Sequence, residues 1–559
     1  MSPATTFSAT LDRPTAQDDR RWLVLAVVAV AQLMVVLDAT IVNIALPSAQ
    51  QALGFSNGDR QWVVTAYALA FGSLLLVGGR LGDMFSRKWV FITGLVGFAI
   101  ASAIGGGAGS FVVLITARAL QGAFGAVLAP SALGTLVSTF TEPRERGRAF
   151  GVYGSVAASG GGVGLILGGV LTQYLSWRWC LYVNLLFAVI AVAGALTYIR
   201  AGRPAHPPRM DWPGAVLACT GLFAIVYGFS HAETAGWTAA LTLGFLIGGV
   251  VLLAGFVVAE QRAPHPLLPL RVILDRARGG SYLALGISGI AIFGIFLFLT
   301  FYLQVIKGDS PLTTGLLFLP MIGGILVSSN LSSIINLGPR VLIATGLLLA
   351  AGGMGLLTQI TVTSSYSSDV LPALIVIGLG LGLIFAKGIN TATTGVARQD
   401  SGVASALVNT MQQVGGSIGT SALSTIALSA TATYLIAHHT SPLAPAIAAT
   451  HGYTVAFWVS TGLLGLGFIL TVVLLPSRRQ PARDVSAATP EARGPATPAA
   501  APAQPAAAPP PRAAAPVPAA AVPAQQHAAA AIPVALCSCS PVIRSLAGSS
   551  GSPRPVSRP

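Results

Sequence analysis

Residues 33–47, LMVVLDATIVNIALP, place a carboxylate inside a stretch that otherwise reads as a membrane-spanning helix. From Trp22 to Leu46 the only ionisable side chain is Asp38, and the stretch is expected to stop at Pro47. A lone aspartate at bilayer depth costs roughly 2.5–3.5 kcal/mol on insertion scales. Retaining it implies that Asp38 faces water, a partner or a proton pathway, the alternative being a hydrogen bond to a neighbouring helix. Other polar groups in the apolar runs, Asn43, Gln121, Asn409 and Gln412, either line a cavity or bond helix to helix.

Composition excludes several kinds of chemistry. Of 559 residues 53% are apolar and 9% charged, whereas soluble domains carry roughly 25% charged residues, so the chain is expected to be a polytopic membrane protein. The net charge of +14 is spread in short clusters rather than in a basic block or stripe, so nucleic acid is not an expected partner. Cys180 and Cys219 lie in or at the edge of apolar spans and no structural disulfide is expected, and the C-x-C pair Cys537 and Cys539 has no His or second Cys pair near it, so no metal is expected. The short connections contain no phosphate-binding loop, which argues against ATP, and no cofactor is expected.

A bilayer core of about 30 Å needs roughly 20 helical residues, and fourteen runs of that order are separated by polar punctuation. They lie near 22–46, 61–79, 89–108, 111–136, 148–172, 179–199, 213–230, 239–259, 281–304, 313–335, 341–361, 370–393, 402–429 and 453–475. If residues 1–21 are cytoplasmic, the inner connections hold most of the arginines and the outer loops only Arg60, Arg178 and Lys307. That asymmetry predicts both termini inside. The first run is too long for a cleaved signal and should stay as a span. His231 is expected in a solvated outer loop. Residues 476–559, rich in Ala and Pro, are expected to be a disordered cytoplasmic tail.

Four motifs then occur in order along the spans. GGRLGDMFSRKW (78–89) joins spans two and three, LDATIVNIALP (37–47) lies in the first, LITARALQGAFGAVLAP (114–130) in the fourth, and GLILGGVL (164–171) in the fifth, followed by LSWRW (175–179). Together they resemble the fourteen-helix drug:proton antiporters of the major facilitator superfamily. VASALVNTMQQVGGSIGTSAL (403–423) resembles that family's thirteenth helix, and the likeness covers residues 20–476.

The resemblance implies an all-α fold of two six-helix bundles, residues 22–199 and 281–475, with two inserted helices in 200–280. It implies conformational gating by Gly79, Gly82, Asp83, Arg87 and Lys88, although Ser86 replaces the family's second glycine. It implies an antiporter packing seam at Gly160, Gly164, Gly168 and Gly169, with Leu165 where the family has proline. Depth supplies a physical reason to pair two charges. Asp38 lies about 24 Å from the inner start of its span, and Arg118 about 10 Å from the outer start of the fourth, so both fall in the outer half. The expected function is proton-coupled efflux of a small hydrophobic, drug-like compound across the cytoplasmic membrane by a monomer. A non-transporting sensor and a proton-coupled importer are the alternatives.

Overall fold

The computed structural model describes residues 16–202, 210–335, 337–396, 400–438 and 442–476. The C-terminal tail from residue 477, with Cys537 and Cys539, lies outside the described residues. Within them the chain is almost wholly helical, because a backbone in hydrocarbon must bond to itself. The helices are α1 (Ala16–Leu53), α2 (Arg60–Met84), α3 (Arg87–Gly106), α4 (Phe111–Thr139), α5 (Pro143–Tyr174), α6 (Trp179–Tyr198), α7 (Trp212–Ala235) and α8 (Ala240–Arg262). There follow α9 (Leu270–Ile273), α10 (Arg276–Phe301), α11 (Pro311–Leu317), α12 (Leu319–Ile334), α13 (Pro339–Leu357), α14 (Leu371–Thr393), α15 (Ser401–Ala437) and α16 (Ala444–Leu474). Two π-helical turns, Tyr302–Ile306 and Tyr366–Val370, extend α10 outward and lead into α14. Fourteen spans long and apolar enough to cross a membrane result among the described residues.

Side-chain caps explain several starts. Ser110, Asp211, Asp275 and Ser310 each accept a hydrogen bond from a main-chain N–H in the first turn of α4, α7, α10 and α11. Three sequence expectations need correction. Pro47 does not end the first helix; α1 runs through it to Leu53, and the stop is Gly54, whose φ of 66° is the left-handed conformation that closes a helix. A proline inside a membrane helix forfeits one main-chain bond, which the remaining ladder tolerates. Arg60 is not an outer-loop residue but opens α2, with its side chain buried. His231 lies within α7, half-buried, its Nδ1 3.0 Å from Thr242 Oγ1 of α8.

Helices α1–α6 pack on one another, α10–α16 form a second group, and α7 lies beside α8, α2 and α15. Outer and inner here follow the charge asymmetry of the loops. Near the outer ends the two groups meet where α5 packs on α11, and Gln304 Nε2 donates to the Ile44 carbonyl of α1 at 3.0 Å.

Many of the glycines sit at crossings where main chains touch. A methyl on Gly78 of α2 would strike the Ala126 carbonyl of α4, and one on Gly122 of α4 would strike the Tyr67 carbonyl of α2. Gly289 and Gly415 do the same between α10 and α15, and Gly346 and Gly380 between α13 and α14. Overpacking of this kind costs typically 1–3 kcal/mol. Gly122→Val is therefore expected to lower the unfolding temperature of the purified protein by several degrees, roughly as that cost predicts. Gly151→Ala, where nothing lies within 4 Å, should leave it unchanged.

Candidate functional site

Asp38 on α1, Tyr67 on α2, Ser102 on α3, Arg118 and Gln121 on α4 and Asn184 on α6 converge, and each is at most 2% exposed. Arg118 and Gln121 stand three residues apart and so share one face of α4. Arg118 Nη1 donates to Asp38 Oδ2 at 2.6 Å and to Gln121 Oε1 at 2.8 Å. Gln121 Nε2 donates to Asp38 Oδ1 at 2.9 Å and to Ser102 Oγ at 2.7 Å. Asn184 Nδ2 donates to Asp38 Oδ1 at 2.8 Å. Arg118 also donates through Nε to the Val63 carbonyl of α2 at 3.1 Å, and its guanidinium carbon lies 4.4 Å from the centre of the Tyr67 ring.

The arrangement complements a carboxylate, since Arg118, Gln121 and Asn184 each present a hydrogen to it. An added proton would need an acceptor. Asn184 Oδ1 is buried and without a hydrogen-bond partner, so turning that one amide over would supply it. Beside Arg118 a cavity of about 10 Å³, bordered by Val42, Val63, Leu114, Trp177 and Cys180, has room for about one water. Trp177 and Ala49 place it toward the outer ends of α1 and α6.

The other expected residues fall as follows. Gln121 belongs to the carboxylate cage and not to a cavity wall. Asn43 is buried and donates to the Ala39 carbonyl of its own helix at 2.9 Å. Asn409 and Gln412 lie half-buried on α15, and Gly289 of α10 closes against the Gln412 carbonyl. Gly160, Gly164 and Gly168 face α1 at Val36, Thr40 and Ile41, on the turns that bracket Asp38, whereas Gly169 faces Leu312 of α11.

At the inner end Gly79 lies against Pro130 and Gly82 against Ser131 Oγ, both on α4. Arg87 Nη1 donates to the Gly134 carbonyl at 2.8 Å, and Lys88 Nζ to the Leu196 carbonyl in the last turn of α6 at 2.7 Å. The side chain of Asp83 lies outside the described residues. Cys180 and Cys219 are free thiols.

Sequence reasoning missed Asn184 as a donor to Asp38, Ser102 as the hydroxyl that Gln121 and Asn184 share, and Tyr67 as the ring beneath Arg118. Asn184 carried a signal, being the one side-chain amide in an otherwise apolar sixth span. A serine and a tyrosine in a span carry none.

The sequence profile of the Major Facilitator Superfamily matches residues 28–420. The puromycin resistance protein pur8 of Streptomyces alboniger is 49% identical over 477 residues, covering 84% of this chain and 95% of its own. The cephamycin export protein CmcT of Amycolatopsis lactamdurans is 39% identical, covering 73% and 85%. Among solved structures, a bacterial homologue of the human lysosomal transporter Spinster, in an inward-facing and unoccupied conformation, superposes with a TM-score of 0.56 at 16% identity. The match covers 84% of this chain and 100% of that one, which establishes the shared fold.

Removing one member of a buried ion pair strands the other charge, at a cost of about 3–5 kcal/mol. Arg118→Leu is expected to be destabilising on that scale, and the double variant Asp38→Leu/Arg118→Leu to recover most of the loss. Thermal unfolding of the three proteins side by side checks this; a double variant no more stable than Arg118→Leu would contradict it.

Proposed function

The chain belongs to the Major Facilitator Superfamily, and on that premise we propose that it exports an antibiotic or similar drug-like compound in exchange for protons. It is a transporter and not an enzyme. The observation that carries the coupling is the Asp38–Arg118 pair, 0% and 2% exposed, sealed at membrane depth between helices that must shift if the site is to be reached.

Protonation of Asp38 neutralises the acid and leaves Arg118 without its counter-charge, so the polar cage that joins α1, α3, α4 and α6 loosens. The small cavity on the outer side of Arg118 presents apolar atoms, so it is a gap in the packing beside the pair and not a standing water site. Loss of the proton restores the cage. Alternating access follows if the tight cage favours one arrangement of the helix groups and the loosened cage the other.

The contacts of α5 with α11 and of α1 with the turn after α10 support an outer side that is closed. Ser155 and Ser159 of α5 and Asn330 of α12 are polar and exposed in the inner halves of their spans. Each bonds back to a carbonyl of its own helix, and their exposure fits the wall of a water-filled vestibule open to the cytoplasm. In the cell membrane, with both termini cytoplasmic, a monomer would load substrate there and release it outside. Gly79, Gly82, Asp83, Arg87 and Lys88 would govern the inner closure.

Puromycin is the first compound to test, given the relative that confers resistance to it. In inverted vesicles, wild-type protein should dissipate an imposed pH gradient when the exported compound is added, and Asp38→Asn should abolish that response while remaining folded. A wild-type response retained in Asp38→Asn would remove Asp38 from the coupling.

A further inference from the structure

Arg60, at the outer start of α2, is 3% exposed and is a cation of the first helix group seated in the second. Its guanidinium carbon stands 4.2 Å from the centre of the Phe301 ring on α10 and 5.5 Å from that of Tyr453 on α16. Its Nη1 donates to Tyr453 Oη at 3.3 Å, and its Nε is buried without a partner. Among the described residues no carboxylate pairs with it; Asp59, one residue away, accepts from Ser56. Two aromatic faces and one hydroxyl therefore hold this charge.

Such a grip suits a contact made and broken repeatedly. A carboxylate would bind the guanidinium more tightly and would itself be stranded on separation, whereas parted rings are left with no charge to hydrate. Gln304 of the turn after α10 crosses the same seam to the Ile44 carbonyl of α1, and beside Arg60 Gln61 Nε2 donates to Ser230 Oγ of α7 at 3.3 Å. Three residues along the same turn, the Val63 carbonyl accepts from Arg118 Nε.

We propose that the first turn of α2 links the Asp38–Arg118 pair to the outer gate, with Arg60 as the latch that keeps that gate shut. The latch holds while Arg118, fixed by Asp38, anchors Val63; when Asp38 is neutralised, Arg118 is free to let the turn move and Arg60 leaves the aromatic pocket. The groups facing Asp38 in this scheme are Arg118 and Gln121 of α4, Asn184 and Cys180 of α6, Ser102 of α3 and Tyr67 of α2. The inference rests on alternating access but not on the identity of the exported compound.

The experiment is a distance measurement between spin labels at Ala52→Cys on α1 and Ala437→Cys on α15, both exposed at outer helix ends. It uses the full chain in lipid nanodiscs without substrate, on a background in which the four native cysteines are replaced. Arg60→Gln should raise the ratio of long to short distances about tenfold over the parent, the scale expected for loss of a desolvated cation–π contact. Phe301→Leu should do nearly the same, and Tyr453→Phe, which keeps the ring and loses the hydrogen bond, less.

Asp38→Asn alone should also lengthen the distance, and adding Arg60→Gln to it should give less than the product of the two effects. Unchanged distances in both Arg60→Gln and Phe301→Leu would overturn the latch, and strictly multiplicative effects would overturn the link. If Arg60→Gln fails to fold, Phe301→Leu and Tyr453→Phe decide. Because no substrate is present, failure to export puromycin leaves this readout intact.

Discussion

An ion pair closed off from solvent at bilayer depth sets the terms for the rest of this molecule. Asp38 and Arg118 bring opposite charges into a region where neither is tolerated alone, and their 2.6 Å contact is completed by donors from α4 and α6. Meeting that requirement needs α1, α3, α4 and α6 to come together at one depth, with α2 covering Arg118 through Tyr67 and receiving its Nε at Val63. The polar cage thus fixes the register of most of the first helix group.

Apolar matching cannot draw these helices so close, because lipid tails are as apolar as leucine. Small residues do it instead: the Gly78–Ala126 and Gly122–Tyr67 crossings set α2 directly on α4, and Gly160, Gly164 and Gly168 set α5 on the α1 turns around Asp38. The backbone is thereby a packing surface in its own right. A side-chain network of this density and a main-chain seam of this tightness support one another, since a shift of one helix would undo both.

The layout was legible from sequence to the extent that hydrocarbon imposes it. Span number followed from run length and hydropathy, and Asp38 stood out because an acid at bilayer depth is costly to retain. Arg118 was marked by the fourth-span motif, and depth gave the physical reason to pair it with Asp38. What failed is what depends on neighbours far along the chain. Arg60 looked like a loop cation by its position after a polar turn, yet its fate was decided by Phe301 and Tyr453, some 240 and 390 residues away. Asn184, Ser102 and Tyr67 are ordinary span residues until three helices are folded around Asp38. Pro47 misled because local propensity was read without the left-handed glycine seven residues on that ends the helix.

The saturation of Asp38 by donors has a further consequence. A membrane protein with a bare acid near its centre is a standing route for ions to run down the cell's energy supply, whether or not cargo is present. Here both carboxylate oxygens accept hydrogen bonds and the side chain is wholly buried. A proton or ion could reach that acid only by breaking the bonds that build the site, so the bonds that hold the helices together also guard the charge between them.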